Sequence, residues 1–128
     1  MTMVHEEQTT MAVAREDLLN EVERLKTDGY RLVQIGCTDI GGAYEINYSF
    51  DKGYQFRNLR LTVGPDEEVT SISGVYWGAF VYENEVHDLF GIPVTGINID
   101  FKGTFIRTAT KYPFSVTRRG GDDPCQNA

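Results

Sequence analysis

The chain has 128 residues, enough for one hydrophobic core but not for two independent ones, and its 41% apolar and 12% aromatic content is that of a globular domain. Nineteen acidic residues against twelve basic ones give a formal charge of -7, which repels nucleic-acid phosphates and anionic lipid head groups and argues against nucleic acid as a partner. No stretch approaches the roughly 20 apolar residues of a membrane helix, and residues 1–10 carry His5, Glu6 and Glu7 with neither a basic start nor an apolar run. No direct membrane span and no secretory signal are therefore expected, and a cytoplasmic address follows by default.

Residues 1–14 are polar, with scattered methionine and alanine, and are expected to form a poorly ordered N-terminal tail. Arg15 to Asp28 reads as a helix: Leu18, Val22 and Leu25 fall on one face, and Gly29 is placed for a left-handed cap. Tyr30 to Thr38 follows with the apolar run Leu32-Val33-Gln34-Ile35, the pattern of a largely buried strand, bounded by the turn formers Asp39-Ile40-Gly41-Gly42. In Ala43 to Phe50 the side chains Tyr44, Ile46, Tyr48 and Phe50 alternate with Glu45, Asn47 and Ser49, which marks a strand with one wet face. Phe56 to Val63 repeats the alternation after the turn Asp51-Lys52-Gly53, so the segment predicts an antiparallel meander.

Val69 to Val75 reads as a weaker strand, and Gly78 to Phe90 as a second helix with Tyr82, Val86, Leu89 and Phe90 at helical spacing, ending at Gly91. Pro93 blocks continuation, and Ile97, Ile99 and Phe101 alternate with Asn98 and Asp100 as if in one more extended segment. Residues 117–128 lack periodicity and hold several breakers, so a flexible C-terminal tail is expected there. The element order predicts a single α+β domain over residues 15–116: two layers, a mostly antiparallel or mixed sheet, and two main helices on one face.

Two cysteines, Cys37 and Cys125, and two histidines, His5 and His87, lack the paired spacings that ligate zinc or an iron–sulfur cluster. Nucleophile-elbow, phosphate-loop and dinucleotide fingerprints are missing too. No metal, no cofactor and no catalytic residue of its own is expected for this chain, and both thiols read as ordinary small hydrophobes. The dense segment is Tyr82-Glu83-Asn84-Glu85-Val86-His87-Asp88-Leu89-Phe90-Gly91-Ile92. On a helix Glu85 and Asp88 share one face and Glu83 and His87 another, while Val86, Leu89 and Phe90 bury. Such carboxylates suit capture of a basic partner side chain or proton handling, or they form i,i+4 contacts and solvated charges of little energetic weight. The aromatic side chains Tyr76, Trp77, Phe80 and Tyr82 are candidates for an interface as well as for the core.

The run Glu83 to Ile92 resembles the signature of the 30-kDa subunit of respiratory complex I and its relatives in energy-converting [NiFe]-hydrogenases: Glu-Arg-Glu, two residues, an acidic residue, apolar residues, then Gly-Ile. The likeness covers residues 15 to about 106. Asn84 stands where the signature has arginine, and Ile97-Asn98-Ile99-Asp100-Phe101 replaces a His-Pro-x-Leu-Arg-Arg segment; both departures favour the small subunit of an Ech-type or other membrane-bound hydrogenase. The resemblance implies a non-catalytic assembly subunit, peripheral on the cytoplasmic face of the membrane. Its partners would be a catalytic large subunit, an iron–sulfur subunit and membrane subunits, with the [NiFe] centre and iron–sulfur clusters in those partners. It assigns partner binding to Glu83, Glu85, Asp88, Leu89, Phe90, Gly91 and Ile92. The alternatives are the equivalent subunit of an NADH-, ferredoxin- or quinone-linked dehydrogenase, and a stand-alone enzyme or ligand-binding domain using Glu85, Asp88 and His87.

Overall fold

The computed structural model describes residues 7–102 and 112–115. Its centre is the segment of cleanest alternation. Tyr44–Lys52 forms β3, with Tyr44, Ile46, Tyr48 and Phe50 buried and Glu45, Asn47 and Ser49 on the opposite, wetter face. Gln55–Val63, β4, pairs antiparallel with it across the two-residue turn Gly53-Tyr54 and adds Leu59, Leu61 and Val63 to the same buried face. Arg31–Asp39, β2, pairs antiparallel with β3 on its other side. Glu7–Ala12, β1, pairs parallel with β4, so the sheet has four strands in the order β1-β4-β3-β2 and is mixed.

Both helices cover the apolar face. A short 3-10 turn, Arg15–Asp17, leads into α1, Leu18–Thr27, which buries Leu18 and Val22. The second helix, α2, runs Ala79–Phe90 and places Val86 and Phe90 in the same core as Tyr44, Tyr48 and Phe50. Gly29 at φ +90° and Gly91 at φ +78° take the left-handed conformations that end the two helices, and the Gly91 N–H closes on the His87 carbonyl at 2.7 Å. The expected α+β domain, with two helices on one face of a mixed sheet, is the observed architecture.

Four local expectations are corrected. The poorly ordered tail over residues 1–14 gives way, from Glu7 on, to β1; its sequence lacks alternation because an edge strand is held by its ladder with β4 rather than by a buried face. The Leu32–Ile35 run is not largely buried. Here β2 is the other edge of the sheet, only Ile35 is fully buried, and an irregularity between Leu32 and Gln34 drops Val33 out of register. The fourth strand shrinks to Val69–Thr70, β5, because Ser71 and Ser73 turn the chain by bonding each other and their own backbone: the Ser73 N–H donates to Ser71 Oγ at 3.0 Å. Its partner is Val94–Thr95, β6, which pairs with it in parallel.

Ile97 to Phe101 is likewise not a strand. It is a strap lying along α2, its backbone held by side chains: Asn98 N–H donates to Ser73 Oγ at 2.9 Å and Phe101 N–H to Asn84 Oδ1 at 2.9 Å. Residues 117–128, expected as a tail, lie outside the described residues.

Candidate functional site

The signature segment is α2 with its cap, and its carboxylates are not the solvated row that spacing suggests. Glu83 is 2% exposed. One of its oxygens accepts from Ser71 Oγ at 2.6 Å and the other from the Ile72 N–H at 2.8 Å, so the side chain ties the turn after β5 to the helix. Burial pushes its pKa up to about 7, against the two hydrogen bonds that favour the charged form. Tyr48 of β3 faces it, and burial holds that phenol well above its ordinary range. Glu83 thus works inside the fold, where it joins the turn after β5 to the helix.

Asp88 is 5% exposed and lies against His87, whose Nδ1 sits 2.9 Å from Asp88 Oδ1. The face that Glu85 and Asp88 share by spacing is therefore solvated only at Glu85, which is half-buried and forms no ion pair among the described residues. The His87 ring also meets the Tyr112 ring edge-on at 5.9 Å. Leu89 gives its carbonyl to the Phe114 N–H at 2.9 Å, and Phe90 sits edge-on between Tyr44 at 6.2 Å and Phe114 at 5.8 Å. Ile92 is fully buried. Of the signature residues, Glu83, Asp88, Phe90 and Ile92 build the fold, Gly91 caps the helix, and Glu85 alone keeps its charge near solvent.

Asn84 takes a part that its spacing did not reveal. It is 1% exposed and satisfies both ends of its amide: Nδ2 donates to the Phe80 and Ile99 carbonyls, each at 2.8 Å, and Oδ1 accepts from the Phe101 N–H. A side chain of this length, at the position of the signature's arginine, is what lets the strap lie directly on the helix. The only available signal was that Asn84 and the altered segment Ile97 to Phe101 depart from the signature together; the structure joins them. Ser71 and Ser73 also escaped notice, since a Ser-x-Ser pair is common in loops.

The four aromatic candidates divide. Tyr76 is core, its hydroxyl donating to the Tyr30 carbonyl at 2.7 Å, and Tyr82 and Phe80 are half-buried. Trp77 projects, 66% exposed. Cys37 lies half-buried in β2 as a free thiol, its pKa pushed up to about 12 chiefly by burial and further by the Asp39 charge, which makes it a poor nucleophile. Among the described residues no group of three or more His, Cys, Asp or Glu side chains converges as metal ligands would, and no helix is long and apolar enough to cross a membrane. Two recesses of about 300 and 260 Å³ lie around Thr9, Arg57 and Asn58 on β1 and β4, and neither is lined by α2.

Known proteins share both the sequence and the fold. The C subunit of the NADH-quinone oxidoreductase of Jannaschia sp. (strain CCS1) is 35% identical over 96 residues, covering 68% of this chain, and that of Mesorhizobium japonicum is 34% identical over 97 residues, also 68% of this chain. The chain spans about half the length of these curated relatives, 46% and 48% respectively. A chain of the membrane-bound sulfane sulfur reductase, an archaeal respiratory membrane complex, shares the fold with a TM-score of 0.74 at 18% identity, over 88% of this chain and 70% of that one. The family model for the respiratory-chain NADH dehydrogenase 30 Kd subunit matches residues 11–115, from β1 through the strap to the Tyr112–Ser115 segment that packs on the end of α2. With the signature helix, β2 to β4 and the flanking segments inside that match, the chain belongs to the respiratory-chain NADH dehydrogenase 30 Kd subunit family.

Proposed function

We propose that this chain is a non-catalytic assembly subunit of a membrane-bound energy-converting complex of the respiratory type, seated on the catalytic large subunit at its cytoplasmic side. The observation that carries this reading is how α2 uses its polar groups. Glu83 and Asn84 are buried and saturated by contacts within the chain, so the family's signature builds a rigid body and leaves an outward face, instead of lining a reactive pocket. The [NiFe] centre and iron–sulfur clusters would then reside in the partners, the large subunit and an iron–sulfur subunit, with membrane subunits anchoring the whole.

The hydrogenase branch is favoured by Asn84 and by the strap that replaces the arginine-bearing segment. A second reading, the equivalent subunit of an NADH-, ferredoxin- or quinone-linked dehydrogenase, draws on the identity to the NADH-quinone oxidoreductase relatives. Affinity purification of the tagged chain from its own organism tests both. Recovery of a large subunit with stoichiometric nickel supports the hydrogenase branch, and recovery of a nickel-free large subunit supports the dehydrogenase branch. A chain recovered alone and turning over a substrate by itself would overturn the assembly role.

A further inference from the structure

Trp77 is the chain's only tryptophan, and it is exposed without being loose. Its ring stands edge-on to Phe80 with centroids 5.0 Å apart and an interplanar angle of 72°, and its carbonyl accepts from Asn98 Nδ2 at 3.4 Å. Trp77 stands two residues before α2, and on the helix itself the exposed Val81 and the half-buried Glu85 lie four residues apart on one face. Beside it runs the strap, with Ile99, Asp100 and Phe101 all exposed. Asn84 clamps helix and strap together through Ile99 and Phe101. Trp77, Val81, Ile99 and Phe101 are thus exposed apolar side chains on α2, the turn that leads into it and the strap that Asn84 fixes to it, with Glu85 on the helix and Asp100 on the strap.

An exposed aromatic and aliphatic patch of this kind marks an interaction site on a globular domain, and a rigid tryptophan in its middle has the character of a binding anchor. The rim says what it meets. Four acidic side chains elsewhere on the surface are paired, Glu67 with Arg15, Glu21 with Arg24, Glu45 with Arg60 and Asp51 with Arg31, while Glu16, Glu23 and Asp66, like the two carboxylates beside the patch, form no ion pair among the described residues. Of those two, Glu85 and Asp100, the Asp100 carboxylate only accepts the Lys102 N–H at 2.8 Å. Lys102, the strap's own cation, directly follows Phe101. A second copy of the chain would bring the same carboxylates against their equivalents on a body of net charge -7.

We infer that Trp77, Val81 and the Ile99–Phe101 strap form one docking face for a different protein subunit, which receives the indole in an apolar pocket rimmed by arginine or lysine. This rests on the assembly role proposed above and adds the surface and the chemistry of the partner.

The test uses the full complex purified from the native organism, with the tagged chain carrying a photo-crosslinking phenylalanine analogue at position 77. A single heterologous polypeptide is expected, cross-linked through a peptide containing arginine or lysine. Trp77→Glu is expected to lower the co-purified large subunit at least tenfold, while Tyr54→Glu, at an equally exposed aromatic in the β3–β4 turn, leaves it unchanged. Glu85→Gln with Asp100→Asn is expected to weaken association and flatten its salt dependence. Thermal unfolding of each variant within a few degrees of the parent shows that the fold is intact. If the native chain recovers its large subunit but Trp77→Glu recovers as much, or if position 77 cross-links to a second copy, the docking face is wrong and the assembly role stands. If the native chain recovers no larger subunit at all, both fall.

Discussion

The Glu83 carboxylate and the Ser71 hydroxyl meet at 2.6 Å inside the domain, and this contact makes a glutamate the joint between α2 and the turn after β5. Its ionisation is opposed by burial, so the folded protein holds the Glu83 proton up to about pH 7 while the unfolded chain releases it in the ordinary carboxylate range. Between those values the native state carries the extra proton, and stability must fall as pH rises through that window. Urea unfolding at pH 5, 6, 7 and 8 is expected to show a decline of at most about 3 kcal/mol from this group, levelling off above pH 7. Glu83→Gln, which cannot ionise, is expected to remove that part of the slope; an unchanged slope would assign the pH dependence to other groups.

Asn84→Ala should release the strap. Two backbone groups, the Ile99 carbonyl and the Phe101 N–H, lose their partner, at a cost of about 1–3 kcal/mol. Hydrogen exchange would show it directly, as faster exchange at the Phe101 amide with little change in β3. Asn84→Arg, which installs the family's residue, is expected to cost more than alanine, because a guanidinium would enter a site that is 1% exposed and already filled by the strap.

Cys37 is expected to resist thiol reagents. In a Cys125→Ser background, modification at pH 8 should run far more slowly than for a free cysteine and should accelerate when urea unfolds the sheet, since the thiolate is suppressed by burial and by Asp39. Rapid labelling of the native protein would mean that β2 opens readily.

Removing residues 1–12 should destabilise the domain well beyond what loss of a tail would. The deletion strips the parallel ladder from Glu7 to Ala12 and exposes β4 as a new edge, so a lower urea midpoint and concentration-dependent association are expected. A truncated chain that stays monomeric with an unchanged midpoint would show that β1 adds little.

Much of this architecture could be read from residues alone, and the pattern of success is physical. β3 and β4 were legible because each lies within the sheet with one wet face, which prints alternation into the sequence. Both helices were legible through their apolar spacing and their terminal glycines. The edges were not: β1 carries no periodic signal, and β2 carries an apolar run that the sheet leaves half outside, with the Val33 carbonyl accepting from the Tyr82 hydroxyl at 3.0 Å. At the site, sequence spacing located Glu83, Glu85 and Asp88 on α2 but could not tell which would be drawn inward. That was settled by Ser71 and Ile72, which approach Glu83 from across the turn, and by His87 beside Asp88. The exposed Trp77 was one of four aromatic candidates, and only packing separated it from Tyr76.

The parallel pairing of β1 with β4 also governs the order in which the molecule can be made. Thr9 meets Arg57 across a sequence gap of 48 residues, so β1 leaves the ribosome without a neighbour and stays so until the β3–β4 hairpin has emerged behind it. The nascent chain must therefore carry an unpaired strand through much of the domain's synthesis, and completion of the sheet is the last event at this edge, not the first.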